Sequence, residues 1–158
     1  MANLLAIDPG LHKTGLAFFN NRKLDHTLLL KPPKSADTDW LENLDWVMCR
    51  LKELLLSKDT QLDVVVIEQP QQFVTSRKGS AASNSGAVIK LTALVHSMRQ
   101  AVLIGGLECH LVPVIKWKGN VPKHITAMRL KRAGYDLEGL SLDEVDAVGL
   151  GCWYLKNG

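Results

Sequence analysis

Two short apolar runs, each ending in a carboxylate, constrain this chain more than any other feature. Leu4-Leu5-Ala6-Ile7 leads into Asp8 and Pro9-Gly10, and Val64-Val65-Val66-Ile67 leads into Glu68 and Gln69-Pro70. Runs this short and unalternating read as central strands buried on both faces, the habit of parallel pairs. A bare carboxylate at the end of such a strand is costly unless something positive neutralises it. Asp143 and Asp146 pose the same problem, three residues apart in an apolar, small-residue C-terminal helix. Acids from separate segments in such settings suggest a shared cation. Mg²⁺, which favours oxygen donors in octahedral geometry, is the simplest.

The remaining pattern supplies the frame. Thr14–Asn20 and Lys23–Leu30 read as a hairpin turning at Asn20-Asn21. Asp39 followed by Glu42 is a capping-box-like start to a helix reaching about Ser57, its apolar positions Trp40, Leu44, Val47, Leu51 and Leu55 at helical spacing. Residues 70–85, polar, basic and rich in Gly and Ser, read as a mobile loop after the second acidic strand. A long helix follows from Gly86 to about Ile104, then a third core strand over Leu107–Val112. Pro122 suits the first turn of a helix that Gly134 ends. Ser141-Leu142-Asp143-Glu144 is a capping box opening the last helix. The order predicts one α/β domain over residues 1–158: a mixed five-stranded sheet, three strands antiparallel and two parallel, flanked by helices.

Composition is globular, with 46% hydrophobic and 22% charged residues. The chain starts without a signal-like segment, and no apolar run approaches membrane-spanning length, so a cytoplasmic protein with no membrane partner is expected. Cys49, Cys109 and Cys152 are odd in number and widely spaced; they read as reduced core thiols, not a zinc site. The net charge of +3 hides an asymmetry. Ten Lys/Arg face a single acid, Glu108, between Gln69 and Tyr135, whereas acids outnumber bases on either side. An acid-poor, basic middle is the distribution expected where a carboxylate site works beside a phosphate-binding surface.

The segment AIDPGLHKTGLAFF at 6–19 resembles the opening strand and hairpin of the RuvC family of Holliday-junction resolvases, within the ribonuclease H-like superfamily. VVVIEQP at 64–70 is similar to that family's second acidic motif, and LDEVDAVGLGCWYL at 142–155 to its last. VIKLTALVHSM at 88–98 and the basic stretch VPVIKWKGNVPKHITAMRL at 112–130 also resemble family segments, in the right order along nearly the whole chain. The resemblance implies that Asp8, Glu68, Asp143 and Asp146 are catalytic metal ligands for Mg²⁺, two ions per site, with Mn²⁺ as a substitute. It implies paired symmetric nicks in a four-way junction, leaving 5′-phosphate and 3′-hydroxyl ends. Strand ends can set Asp8 beside Glu68, and an i, i+3 pair puts Asp143 and Asp146 on one helix face. Asp143 has a second possible role, since an acid in a helix's first turn also complements the dipole.

Lys116, Lys118 and Lys123 fall in an acid-free stretch, and they are candidate contacts to DNA phosphates. Arg77 and Lys78 in the basic loop and Lys90 on the following helix are further candidates. The family places a Phe soon after its second acidic residue to insert at the junction crossover; Phe73 is offset from that spacing, and an apolar ring can also stack on bases. Gly10 and Gly15 read as serving the turn beside Asp8, and His12 is the one histidine near it. A two-fold homodimer, joined through the 86–104 helix, would match the symmetry of branched DNA. A compact phage-encoded relative, in a bacterial or phage-infected cell, would suit the short chain. Two other readings stay open: a ribonuclease H-like nuclease acting on RNA–DNA hybrid or structured RNA, and a junction-binding module without chemistry.

Overall fold

The computed structural model describes residues 3–34, 39–70 and 86–158. Five strands, β1 (Leu4–Asp8), β2 (Thr14–Asn20), β3 (Lys23–Leu30), β4 (Val64–Gln69) and β5 (Glu108–Pro113), form one sheet in the order β3-β2-β1-β4-β5. β1 and β2 are antiparallel, as are β2 and β3, while β4 runs parallel to both β1 and β5. This is the mixed sheet that the element order predicts. β1 lies at its centre and is buried along its length, which is why its sequence does not alternate.

Side chains still alternate between faces, and that period of two organises the core. Leu5, Ile7, Val65 and Ile67 pack on one face against Val47, Leu51, Leu94 and Met98. These come from α1 (Trp40–Leu56) and α2 (Ala87–Ile104). Leu4, Ala6, Val64 and Val66 pack on the other face against Val145, Val148 and Leu150 of α5 (Leu142–Asn157) and Leu130 of α4 (Lys123–Arg132). A short helix, α3 (Val114–Trp117), follows β5 directly. The chain pattern gives no hint of it, because four residues cannot show a helical period.

Several expectations need correction. The hairpin turns at Asn21-Arg22, not Asn20-Asn21; both residues have positive φ, 49° and 68°, as a two-residue loop matched to strand twist requires. Asp39 is the N-cap of α1, but its side chain makes no capping hydrogen bond. Cys49 is exposed and not a core thiol, while Cys109 and Cys152 are partly buried. The 18 residues of α2 are long and apolar enough to cross a membrane by length and composition, contrary to the expectation that no run approaches this. In the fold its Leu94, Val95, Met98 and Val102 are buried against the sheet side of the core. The 70–85 segment read as a mobile loop lies, beyond Pro70, outside the described residues.

Candidate active site

Alternation decides where the strand acids point. Asp8 follows Leu4 and Ala6 in phase, and Glu68 follows Val64 and Val66, so both carboxylates share the α5 face. Ile7 pairs with Ile67 in the parallel register of β1 and β4, which leaves Asp8 and Glu68 on adjacent strand ends. Asp8 is 8% exposed.

The start of α5 brings the other two acids to the same place. The Ser141 hydroxyl accepts from the Glu144 backbone N–H at 3.2 Å, and the Glu144 carboxylate accepts from the Ser141 N–H at 2.8 Å. The Thr27 hydroxyl donates to the other Glu144 oxygen at 2.9 Å, tying the helix start to β3. Gly15, paired with Asp8 across β1 and β2, lies directly under this turn. A methyl group there would overlap the Asp143 carbonyl and stand 2.7 Å from the Glu144 nitrogen. Gly15 thus serves close helix–strand packing instead of the turn. Gly10 does serve the turn: a methyl group on it would strike the Lys13 carbonyl.

The clustered charge is visible in the acidities. Burial, then the charges of Glu68 and Asp146, holds the Asp8 carboxyl well above the ordinary carboxylate range. Burial and Asp146 likewise raise Glu68, opposed by a hydrogen bond that the Trp117 indole N–H donates to its carboxylate at 3.0 Å. Lysines answer the remaining charge. Lys118 reaches Asp146 at 2.7 Å, and Lys123 lies 3.3 Å from Asp143 and 3.5 Å from Asp146. Burial alone would lower the Lys123 ammonium's pKa, but Asp8, Asp146 and Asp143 together raise it.

The four acids singled out in the sequence therefore converge, with Lys118 and Lys123 beside them. Lys116 is exposed on α3. Lys90 sits apart from the cluster, its ammonium 5.9 Å from the Trp40 ring centre. Phe73, Arg77 and Lys78 lie outside the described residues. Sequence reasoning missed Trp117, which holds Glu68 from the end of α3. Its signal was an indole flanked by two lysines, a residue whose N–H needs an acceptor when buried.

No protein-family model and no curated protein matches the sequence. The architecture does have counterparts. Thermus thermophilus RuvC solved in complex with a Holliday junction substrate superposes with a TM-score of 0.71 at 17% identity, over 98% of this chain and 93% of that one. A second Thermus thermophilus RuvC structure gives 0.70 at 17% identity, over 98% and 95%. The chain has the RuvC fold.

Within the RuvC fold, the acidic edge has the chemistry to hold a divalent cation. All its donors are carboxylate oxygens, which suits a hard ion. Two of them, Oδ2 of Asp8 and Oδ1 of Asp146, are buried without a hydrogen-bond partner among the described residues. As the side chains stand, no three acids, histidines or cysteines among the described residues close on a common centre. Lys118 and Lys123 neutralise Asp143 and Asp146 instead. Buried carboxylates demand a countercharge, and two long side chains within reach supply it.

Proposed function

We propose that this protein is a Mg²⁺-dependent, structure-selective DNA endonuclease that resolves four-way junctions by paired symmetric nicks. The observation that carries the reading is the meeting of Asp8, Glu68, Asp143 and Asp146 at one edge of a RuvC-type sheet, with lysines alongside. These four acids would hold the metal, two Mg²⁺ ions per site with Mn²⁺ as a substitute. Bound there, the ions would activate a water against the phosphodiester and stabilise the leaving 3′-oxygen, giving 5′-phosphate and 3′-hydroxyl ends.

The chain's own residues prepare that site. Trp117 holds the Glu68 carboxylate in place through its indole N–H. The capped first turn of α5 sets Asp143 and Asp146 on one face. Lys118 and Lys123 provide positive charge that can pass from the carboxylates to phosphate oxygens, where charge grows during cleavage. Lys116 extends this basic side along the strand path. A homodimer would supply two such sites, one for each cut strand. Ile89 in the first turn of α2 and Leu103 and Ile104 in its last are exposed apolar side chains that a second copy would cover. The junction complex formed by the structurally similar Thermus protein supports the choice of substrate.

The deciding experiment offers the purified protein a synthetic DNA four-way junction, a linear duplex and an RNA–DNA hybrid, each with Mg²⁺ or EDTA. The expected result is Mg²⁺-dependent nicking of the junction at symmetric positions. Selective hybrid cleavage would move the assignment to a ribonuclease, and tight junction binding without any cleavage would make the protein a binding module.

A further inference from the structure

The three strands β1, β4 and β5 end at the same edge of the sheet, and β3, which runs the same way, ends there too. The chain leaving β5 carries Lys116, Lys118 and Lys123. The chain leaving β3 carries Lys31 and Lys34, and the turn leaving β1 carries His12 and Lys13. Carboxylates therefore lie in the middle of this edge, with cationic side chains on both flanks. Among the described residues, only the β5 flank forms ion pairs with the acids.

The other flank forms a cleft of about 490 Å³. Among the described residues it is lined by His12, Lys13, Lys31 and Lys34, with Pro32, Pro33 and the buried Asn43 beneath. No acidic side chain is in this lining; Asp39 and Glu42 share the first turns of α1 with Asn43 but do not line the cleft. Its walls are held rigidly. The Thr14 hydroxyl donates to the Gly10 carbonyl at 2.7 Å and accepts from the Gly10 N–H at 3.2 Å, closing the turn that presents His12 and Lys13. Pro32 and Pro33 fix the backbone between the two lysines of the β3 loop. Three ammonium groups in one cleft, with no carboxylate lining it among the described residues, repel one another, an arrangement stabilised by a polyanion.

We propose that this cleft is a second phosphate-binding site, one that grips the backbone of a substrate DNA arm on the side of the acids opposite Lys118 and Lys123. The inference rests on the nuclease reading and adds to it. β3 lies two strand spacings from β1, roughly 10 Å, and four from β5, roughly 19 Å. Duplex DNA carries one charge per about 1.7 Å of axis, so an edge of that span faces several phosphates. A strand crossing the acids is then held on both sides of the scissile bond, which fixes its register without reading its sequence.

The test is the salt dependence of junction binding, read by fluorescence anisotropy with a labelled four-way junction and the full chain in EDTA. The variant Lys13→Gln/Lys31→Gln/Lys34→Gln is compared with Lys23→Gln/Lys52→Gln/Lys58→Gln. The second set removes equal charge from exposed residues towards the opposite sheet edge. The first variant is expected to bind at least about tenfold more weakly and to lose about 3 from the slope of log K against log salt. The second is expected to stay close to wild type. Equal affinity and slope in the two variants overturn the cleft proposal alone. Failure of the wild-type protein to bind branched DNA overturns the nuclease reading, and the cleft with it.

Discussion

The Lys118 ammonium lies 2.7 Å from Oδ2 of Asp146, and both side chains are nearly out of solvent, at 9% and 4% exposure. A pair of this kind is costly to break from one side, because the partner is left charged and desolvated. Lys118→Met should therefore destabilise the metal-free protein by about 3 kcal/mol. Mg²⁺ should then restore more stability to the variant than it adds to wild type, since no ammonium competes for Asp146. Urea unfolding with and without Mg²⁺ measures both effects. An identical Mg²⁺ response in the two proteins would show that the lysine and the metal do not share the carboxylate.

Asp8 makes stability depend on pH with an unusual sign. Burial and the neighbouring acids raise it above its ordinary 3.8, and burial and Asp146 raise Glu68 above 4.5. Across that interval the folded protein holds protons that the unfolded chain releases. Their stabilising contribution is complete below the ordinary values and is lost as pH climbs through the raised ones. Lys123, also raised, loses its contribution only above 10.5, well outside this window. In metal-free buffer, stability relative to Asp8→Asn should thus fall as pH rises above 3.8, the ordinary value for Asp8. At neutral pH the variant should be the more stable, though unable to cleave. Thermal melts of both proteins across the interval provide the check, and parallel pH profiles would contradict it.

Gly15 admits no side chain, because the Asp143 backbone occupies the space. Gly15→Ala should cost about 2–3 kcal/mol and move the α5 first turn away from Asp8. Nuclease activity should fall further than stability does. Chemical denaturation and a cleavage assay below the unfolding transition separate the two losses; full activity in a folded variant would mean that the Asp8–Asp143 spacing is unimportant.

Trp117 packs its ring over Gly149, where a methyl group would come within 2.8 Å of the indole, and donates its N–H to Glu68. Trp117→Phe keeps an aromatic ring but removes the donor and shrinks the ring that covers Gly149. The loss should be about 1–3 kcal/mol of stability, from the hydrogen bond and the packing together. Since that bond lowers the Glu68 pKa, the acid limb of the pH–rate profile should move upward. An unchanged limb in a folded variant would remove Glu68 from the titrating groups.

Much of the fold was legible because strongly apolar segments announce themselves. The β1 and β4 runs, the Ser141 capping box and the hairpin could be read locally, since each depends on residues adjacent in the chain. The hairpin turn slipped by one residue, as Asn20, Asn21 and Arg22 offer no glycine to mark the left-handed positions. The helix Val114–Trp117 went unseen, and with it Trp117's hold on Glu68. A single helical turn leaves no periodic trace.

The linear order of residues determined which acids would be driven out of water and that Asp8 and Glu68 end strands able to lie side by side. What it could not determine was the company they keep. Lys118 meets Asp146 across 28 positions, and Gly15 meets Asp143 across the gap between a strand and a distant helix. Those pairings come from how helices settle on a twisted sheet. Burial is a local preference, whereas neutralisation of a buried charge is a property of everything that arrives beside it.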